Sequence, residues 1–162
     1  MLKEVKFNFK SNNIYFKNTF IYIYRFHVYY YSSVVEQIKM LFKKKILPVQ
    51  KRYQNSNENI ISDIKDGSYY KDFIRSHHNN ENIYSFMVNT DGISLCDKSN
   101  LSIWPVYLAI NELEQGDRYH MDNVLLAGVC VGYSKPLIKE FLIPIKNELL
   151  ELEIGINLEN KW

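Results

Sequence analysis

Asp91 follows the apolar run from Ile83 to Val88 and lies in Asn89-Thr90-Asp91-Gly92. A carboxylate at a strand end, beside a glycine, can approach a hard divalent cation. Oxygen ligands suit Mg2+ or Mn2+. Two such ions can activate water and stabilise a leaving 3′-oxygen in phosphodiester chemistry. The same Asp-Gly pair also suits an ordinary turn, since Asp bonds local backbone and Gly supplies positive φ. One carboxylate does not hold two Mg2+ ions, which keep much of their water and need several negative ligands.

A second chemistry-bearing set is basic: Lys39, Lys43, Lys44, Lys45, Lys51 and Arg52, with Tyr29, Tyr30 and Tyr31 shortly before it. Such cations contact phosphates without regard to sequence, and tyrosines offer stacking surfaces or simply pack. The net charge of +2 hides an asymmetry around this set. Residues 1–52 carry eleven Lys/Arg against two acids, net +9, and the remainder nine against sixteen, net −7. A basic arm before an acidic body suits a partner such as nucleic acid, and is equally the pattern of a solvated surface. Cys96 and Cys130 form no C-x-x-C and have no His at ligand spacing, so neither zinc nor a disulfide framework is indicated. His77 and His78 read as polar loop residues.

The elements that must position these residues follow from periodicity and punctuation. A chain of 162 residues has room for about one domain. Residues 1–31 form an unassigned aromatic-rich segment whose alternation from Phe20 to Val28 is near period two. Its apolar stretch from Ile14 to Tyr31 is broken by Lys17, Arg25 and His27, which argues against a membrane span. Ser32 or Ser33 caps a helix carrying Val35, Ile38, Leu41 and Phe42, with Glu36 in its first turn and Lys43–Lys45 at its end. Asp63 to Phe73 reads as a short amphipathic element around Asp66-Gly67, within a helical approach segment spanning 32–80.

Residues 81–162 are better punctuated. Ile83–Val88, Ile103–Ile110 and Asn123–Val131 predict three strands, the first of them buried, in an antiparallel meander. Ser134-Lys135-Pro136 then opens a helix with Leu137, Phe141, Ile145, Leu149 and Leu152 on one face. Pro144 should kink or split it, and Gly155 should stop it. Strand, strand, strand, helix is the opening order of the ribonuclease-H-like fold, in which a catalytic Asp lies on or at the end of the first strand. The predicted class is therefore α+β, a partial ribonuclease-H-like core behind a helical, basic amino-terminal segment. Related ribonucleases also place a metal-binding Glu on the helix, which makes Glu140 and Glu148 outside candidates. Three strands and one helix would leave an open sheet edge and an uncovered apolar face.

Further residues extend the Asp91 motif in order: Ser99, Ser102-Ile103-Trp104-Pro105, Ile110-Asn111-Glu112-Leu113 and Arg118. Asn123-Val124-Leu125-Leu126-Ala127-Gly128, Lys135-Pro136, Phe141-Leu142 and Pro144 come after them. This series resembles the transposase-domain proteins of animal genomes related to the CACTA (En/Spm) superfamily of cut-and-paste DNA transposases. The resemblance covers residues 32–155, and residues 1–31 carry no placeable match. It implies that Asp91 is the first catalytic, metal-binding carboxylate, that Mg2+ or Mn2+ serves the full-length family, that DNA is the partner and that the nucleus is the location. Trp104 would be a core anchor and Pro105 would shape the start of its strand, while Asn111, Glu112 and Arg118 match family positions and read as turn or surface pairs. The family's second Asp and later acidic residue have no counterpart here. The expectation is thus a truncated transposase core, inactive alone, lacking its carboxy-terminal part or an oligomer partner. The alternative is a non-enzymatic, transposon-derived DNA-binding or protein-interaction module.

Overall fold

The β-branched and aromatic run around Val106 builds the central strand, and the other elements are best placed relative to it. The computed structural model describes residues 3–7, 10–11, 14–15, 19–24, 27–47, 61–77, 83–95 and 100–156. Strands β1 (Lys3–Phe7), β2 (Lys10–Ser11), β3 (Ile14–Tyr15), β4 (Thr19–Tyr24) and β5 (His27–Ser32) lead into helix α1 (Val34–Lys43). A 3-10 turn (Ile64–Asp66) and α2 (Ser68–Ser76) precede β6 (Phe86–Thr90), β7 (Ile93–Ser94) and β8 (Ser102–Ile110). The single turn α3 (Gln115–Arg118), β9 (Leu125–Gly132) and α4 (Ile138–Glu153) complete the order. The class is α+β.

Seven strands form one antiparallel sheet in the order β1-β4-β5-β9-β8-β6, with β7 also pairing β8, while β2 and β3 form a separate pair. The predicted meander is present as β6-β8-β9, followed by α4. Among the described residues β6 is an outer strand of the sheet. It is largely exposed rather than the buried strand expected, because an edge strand with one partner has less of its surface covered. On the far side of the meander β5 pairs with β9, matching Tyr29 to Cys130 and Tyr31 to Gly128, so the aromatic segment shares the sheet of the later strands.

The core lies on one face of this sheet. Val106, Leu108 and Ile110 of β8 alternate inward and meet Val34, Ile38 and Leu41 of α1 and Phe141 and Ile145 of α4. Tyr29 and Tyr31 pack their rings on Phe141 with centroids 5.5 Å and 6.1 Å away. Gly128 is needed at this contact. A β-carbon there would lie 3.1 Å from the Tyr30 carbonyl oxygen and 3.3 Å from the Ile145 terminal methyl. The intervening β8 residue Tyr107 and its β6 partner Asn89 point to the other face and are exposed.

Local signals explain the helix ends. Ser33 accepts a hydrogen bond from the Glu36 N–H, which caps α1. Its buried stripe is Val34, Ile38 and Leu41, while Phe42 is exposed. At the other end Lys45 adopts φ 58° and Ile46 N–H reaches back to the Leu41 carbonyl at 3.0 Å, a closing turn that usually uses glycine. Helix α4 begins at Ile138, so Pro136 precedes the helix instead of occupying its first turn. The backbone of Leu137 is still extended at φ −70°, ψ 95°, and the first helical bond runs from Phe141 N–H to the Leu137 carbonyl. Pro144 does not split α4. The neighbouring Phe141 carbonyl accepts from the Tyr31 hydroxyl at 2.8 Å, so the sheet supports the turn that proline weakens. Gly155, at φ 99°, ends the helix as its position predicts.

Candidate metal centre

Asp91 follows the last residue of β6 and lies exposed to solvent. The ladder between β6, β7 and β8 explains its setting. Thr90 pairs with Val106, and pairing resumes with Ile93 against Ile103. The register does not slip, so Asp91 stands opposite Pro105 and Gly92 opposite Trp104. Asn111 N–H donates to the Ser85 carbonyl and Leu95 N–H to the Leu101 carbonyl, each at 3.0 Å. Hydrogen-bonded positions recur every second residue in an antiparallel ladder, so Asp91–Pro105 is one of them. Proline has no N–H to give. Pairing lapses at Asp91 and Gly92, where the Asp91 Oδ1 instead accepts from the Gly92 N–H at 2.8 Å.

Pro105 is therefore inside β8 and buried, not at the start of the strand. A proline is tolerated in a central strand where the ladder is interrupted. Gly92 completes the arrangement. A β-carbon on it would fall 2.5 Å from the Trp104 ring, so only glycine lets the ring close over the backbone. Trp104 packs against the core, and Lys135 Nζ stands 5.7 Å from its ring centroid.

The candidate second ligands do not join Asp91. Glu148 is committed to the amino terminus of α1. It accepts from Ser33 Oγ at 2.6 Å, Val34 N–H at 2.9 Å and Val35 N–H at 3.2 Å. A carboxylate from α4 thus satisfies backbone donors that the first turn of α1 leaves open. Glu140 is exposed in the first turn of α4. No group of three or more His, Cys, Asp or Glu able to hold a metal occurs among the described residues. Burial pushes the Cys130 thiol up to about 11 against the opposing hydrogen bond from Tyr29, so it supplies no thiolate at neutral pH. The donors among the described residues do not fit a two-ion centre, and of these Asp91 fits weak contact with a hydrated Mg2+ or Mn2+.

Asn111, Glu112 and Arg118 are buried rather than surface pairs, and Asn111 and Glu112 do occupy a turn, closed by Leu113 N–H on the Ile110 carbonyl. They close the opposite end of the β6–β8 ladder. Its last rung is half made: Asn111 N–H bonds the Ser85 carbonyl, while Ser85 N–H goes to Glu112 Oε2 at 2.8 Å. The Asn111 carbonyl in turn accepts from Arg118 Nη2 at 2.7 Å. Glu112 also accepts from the Ser85 hydroxyl and from Tyr70 of α2. Arg118, 2% exposed, grips both carboxylate oxygens of Asp63 at 2.7 Å. The hydrogen bonds from Arg118 hold the Asp63 carboxyl below its ordinary 3.8, outweighing the opposing effect of burial. Sequence spacing gave no sign of these partners, because Asp63 lies fifty-five residues from Arg118.

The basic set is only partly described. Lys43, Lys44 and Lys45 are exposed at the end of α1, and Lys39 pairs with Glu36 at 2.9 Å. Lys51, Arg52, His78 and Cys96 lie outside the described residues. His77, the residue after α2, lies tilted against Phe73 with ring centroids 4.6 Å apart, and its Nδ1 donates to the Phe73 carbonyl at 2.9 Å. No helix among the described residues is long and apolar enough to cross a membrane.

The fold and site thus define an α+β protein with an antiparallel sheet, two helices on one face and an exposed carboxylate in a ladder gap. No family model, curated protein or solved structure matches this chain.

Proposed function

We propose that this chain carries the amino-terminal part of a ribonuclease-H-like, CACTA-related DNA transposase core, and that by itself it does not cleave DNA. The observation that supports this reading is the meander β6-β8-β9 leading into α4, with Asp91 at the end of the meander's first strand. The inactivity follows from a shortage of metal-holding carboxylates, since the described residues contain no group of three or more His, Cys, Asp or Glu able to hold a metal. DNA is the partner in this reading and the nucleus its place of action.

A second reading, a non-enzymatic DNA-binding module, is favoured by the three exposed lysines closing α1. The two readings part at Asp91. In the first, millimolar Mn2+ broadens the amide resonances of residues 89–94 selectively, Asp91→Asn abolishes the effect, and supercoiled plasmid stays intact. Unselective broadening, or broadening untouched by Asp91→Asn, refutes a metal role for Asp91. Mn2+-dependent nicking lost in Asp91→Asn refutes the inactivity.

A further inference from the structure

We infer that Pro105 is a positioning residue for Asp91: by withholding an N–H at the rung they share, it keeps the carboxylate out of the regular sheet. This rests on reading Asp91 as the functional carboxylate.

The register on both sides of the gap is the same, from Thr90–Val106 to Ile93–Ile103. Nothing in the count of residues therefore requires an interruption. A bulge would insert an extra residue, as happens between β8 and β9, where the register shifts between Val106 and Tyr107. No such shift occurs at Asp91. What differs at this rung is chemical. Asn111 N–H donates to the Ser85 carbonyl just before β6, and Leu95 N–H, just beyond β7, donates to the Leu101 carbonyl, both on rungs in phase with Pro105; on the β8 side of that phase Pro105 alone has no hydrogen to donate.

Two further contacts use the gap. The Asp91 carboxylate turns along its own chain to the Gly92 N–H at 2.8 Å, and the bare Gly92 backbone fits against the Trp104 ring. In a continuous strand the Asp91 side chain would stand perpendicular to the sheet, with its backbone locked to β8. Pro105 on one strand and Gly92 on the other thus divide the work. Proline opens the rung, and glycine lets the opened segment lie close to Trp104.

Substituting Pro105→Thr supplies both an N–H and a strand-forming side chain. Amide exchange by NMR then reads two atoms. The amide introduced at position 105 should exchange slowly, as a donor bonded to the Asp91 carbonyl. The Gly92 amide, held in the natural protein by its 2.8 Å bond to Asp91 Oδ1, should lose that partner and exchange faster. The β9 amides, unmoved, show that the sheet is intact, and Pro105→Ala poses the same question if the threonine variant does not fold. An introduced amide exchanging at the rate of free chain overturns the inference, as does a Gly92 amide that exchanges as before. Neither readout involves a metal. Failure of Mn2+ to find Asp91 would remove the functional reading while leaving this result standing.

Discussion

Asp63 shows at the scale of one residue how a buried partner changes a surface acid. Arg118, at 2% exposure, has its charge met by Asp63, which is 18% exposed. Removing one member of such a pair strands the other, at a cost of about 3 kcal/mol. Because the folded carboxyl titrates below its ordinary value, the contribution is whole above the unfolded value near 3.8. It is lost as pH falls through that value toward the lower folded one. Denaturant midpoints measured from neutral to about pH 3 should therefore fall more steeply for the natural protein than for Asp63→Asn. Parallel profiles would show that another acid carries the acid sensitivity. Among the described residues Asp91 has no such partner, so a substitution there should disturb the fold little.

At the scale of elements, the junction of α1 and α4 depends on one carboxylate. Glu148 spans from α4 to three donors at the start of α1, beside the Ser33 cap. Loss of a helix cap costs about 1–2 kcal/mol. Glu148→Ala should lower stability by about that amount in metal-free buffer, read as a shift in the denaturant midpoint. A metal ligand without its metal would give little loss or even a gain, so an unchanged midpoint would return Glu148 to the list of candidate ligands. The approach segment is fastened differently. The 3-10 turn and α2 contribute no buried residue, and Asp63–Arg118 and Tyr70–Glu112 tie them to the body. Their attachment is polar and geometric, where that of α1 and α4 is a packed core.

For the whole molecule the charge division from +9 to −7 has a consequence that no single side chain carries. If the basic end of α1 meets DNA, affinity should fall steeply with salt, because each neutralised phosphate releases counterions. Replacing Lys43, Lys44 and Lys45 with Ala should reduce the slope of log K against log salt by about 2–3 in a gel-shift titration. Binding absent at low ionic strength, or a slope unchanged in the variant, would end the DNA reading of this end of the molecule. Lys39 is the weaker contributor, being already paired with Glu36.

The α+β class, the β6-β8-β9 meander, a cap at Ser32 or Ser33 and the Gly155 stop were legible in the sequence because each is local. Alternation, capping oxygens and a positive-φ glycine act within a few residues. The sequence likewise marked Asp91-Gly92 as the end of a strand, and Trp104-Pro105 as a pair of consequence. What it could not determine was the company these residues keep. Tertiary structure put β5 beside β9, turned Glu148 from a candidate ligand into a cap and buried Arg118 on Asp63. It also set Pro105 opposite Asp91. The reason is physical. Strand register and buried ion pairs join residues far apart in the chain, and their partners are chosen by which faces must be buried and which polar groups must then be satisfied.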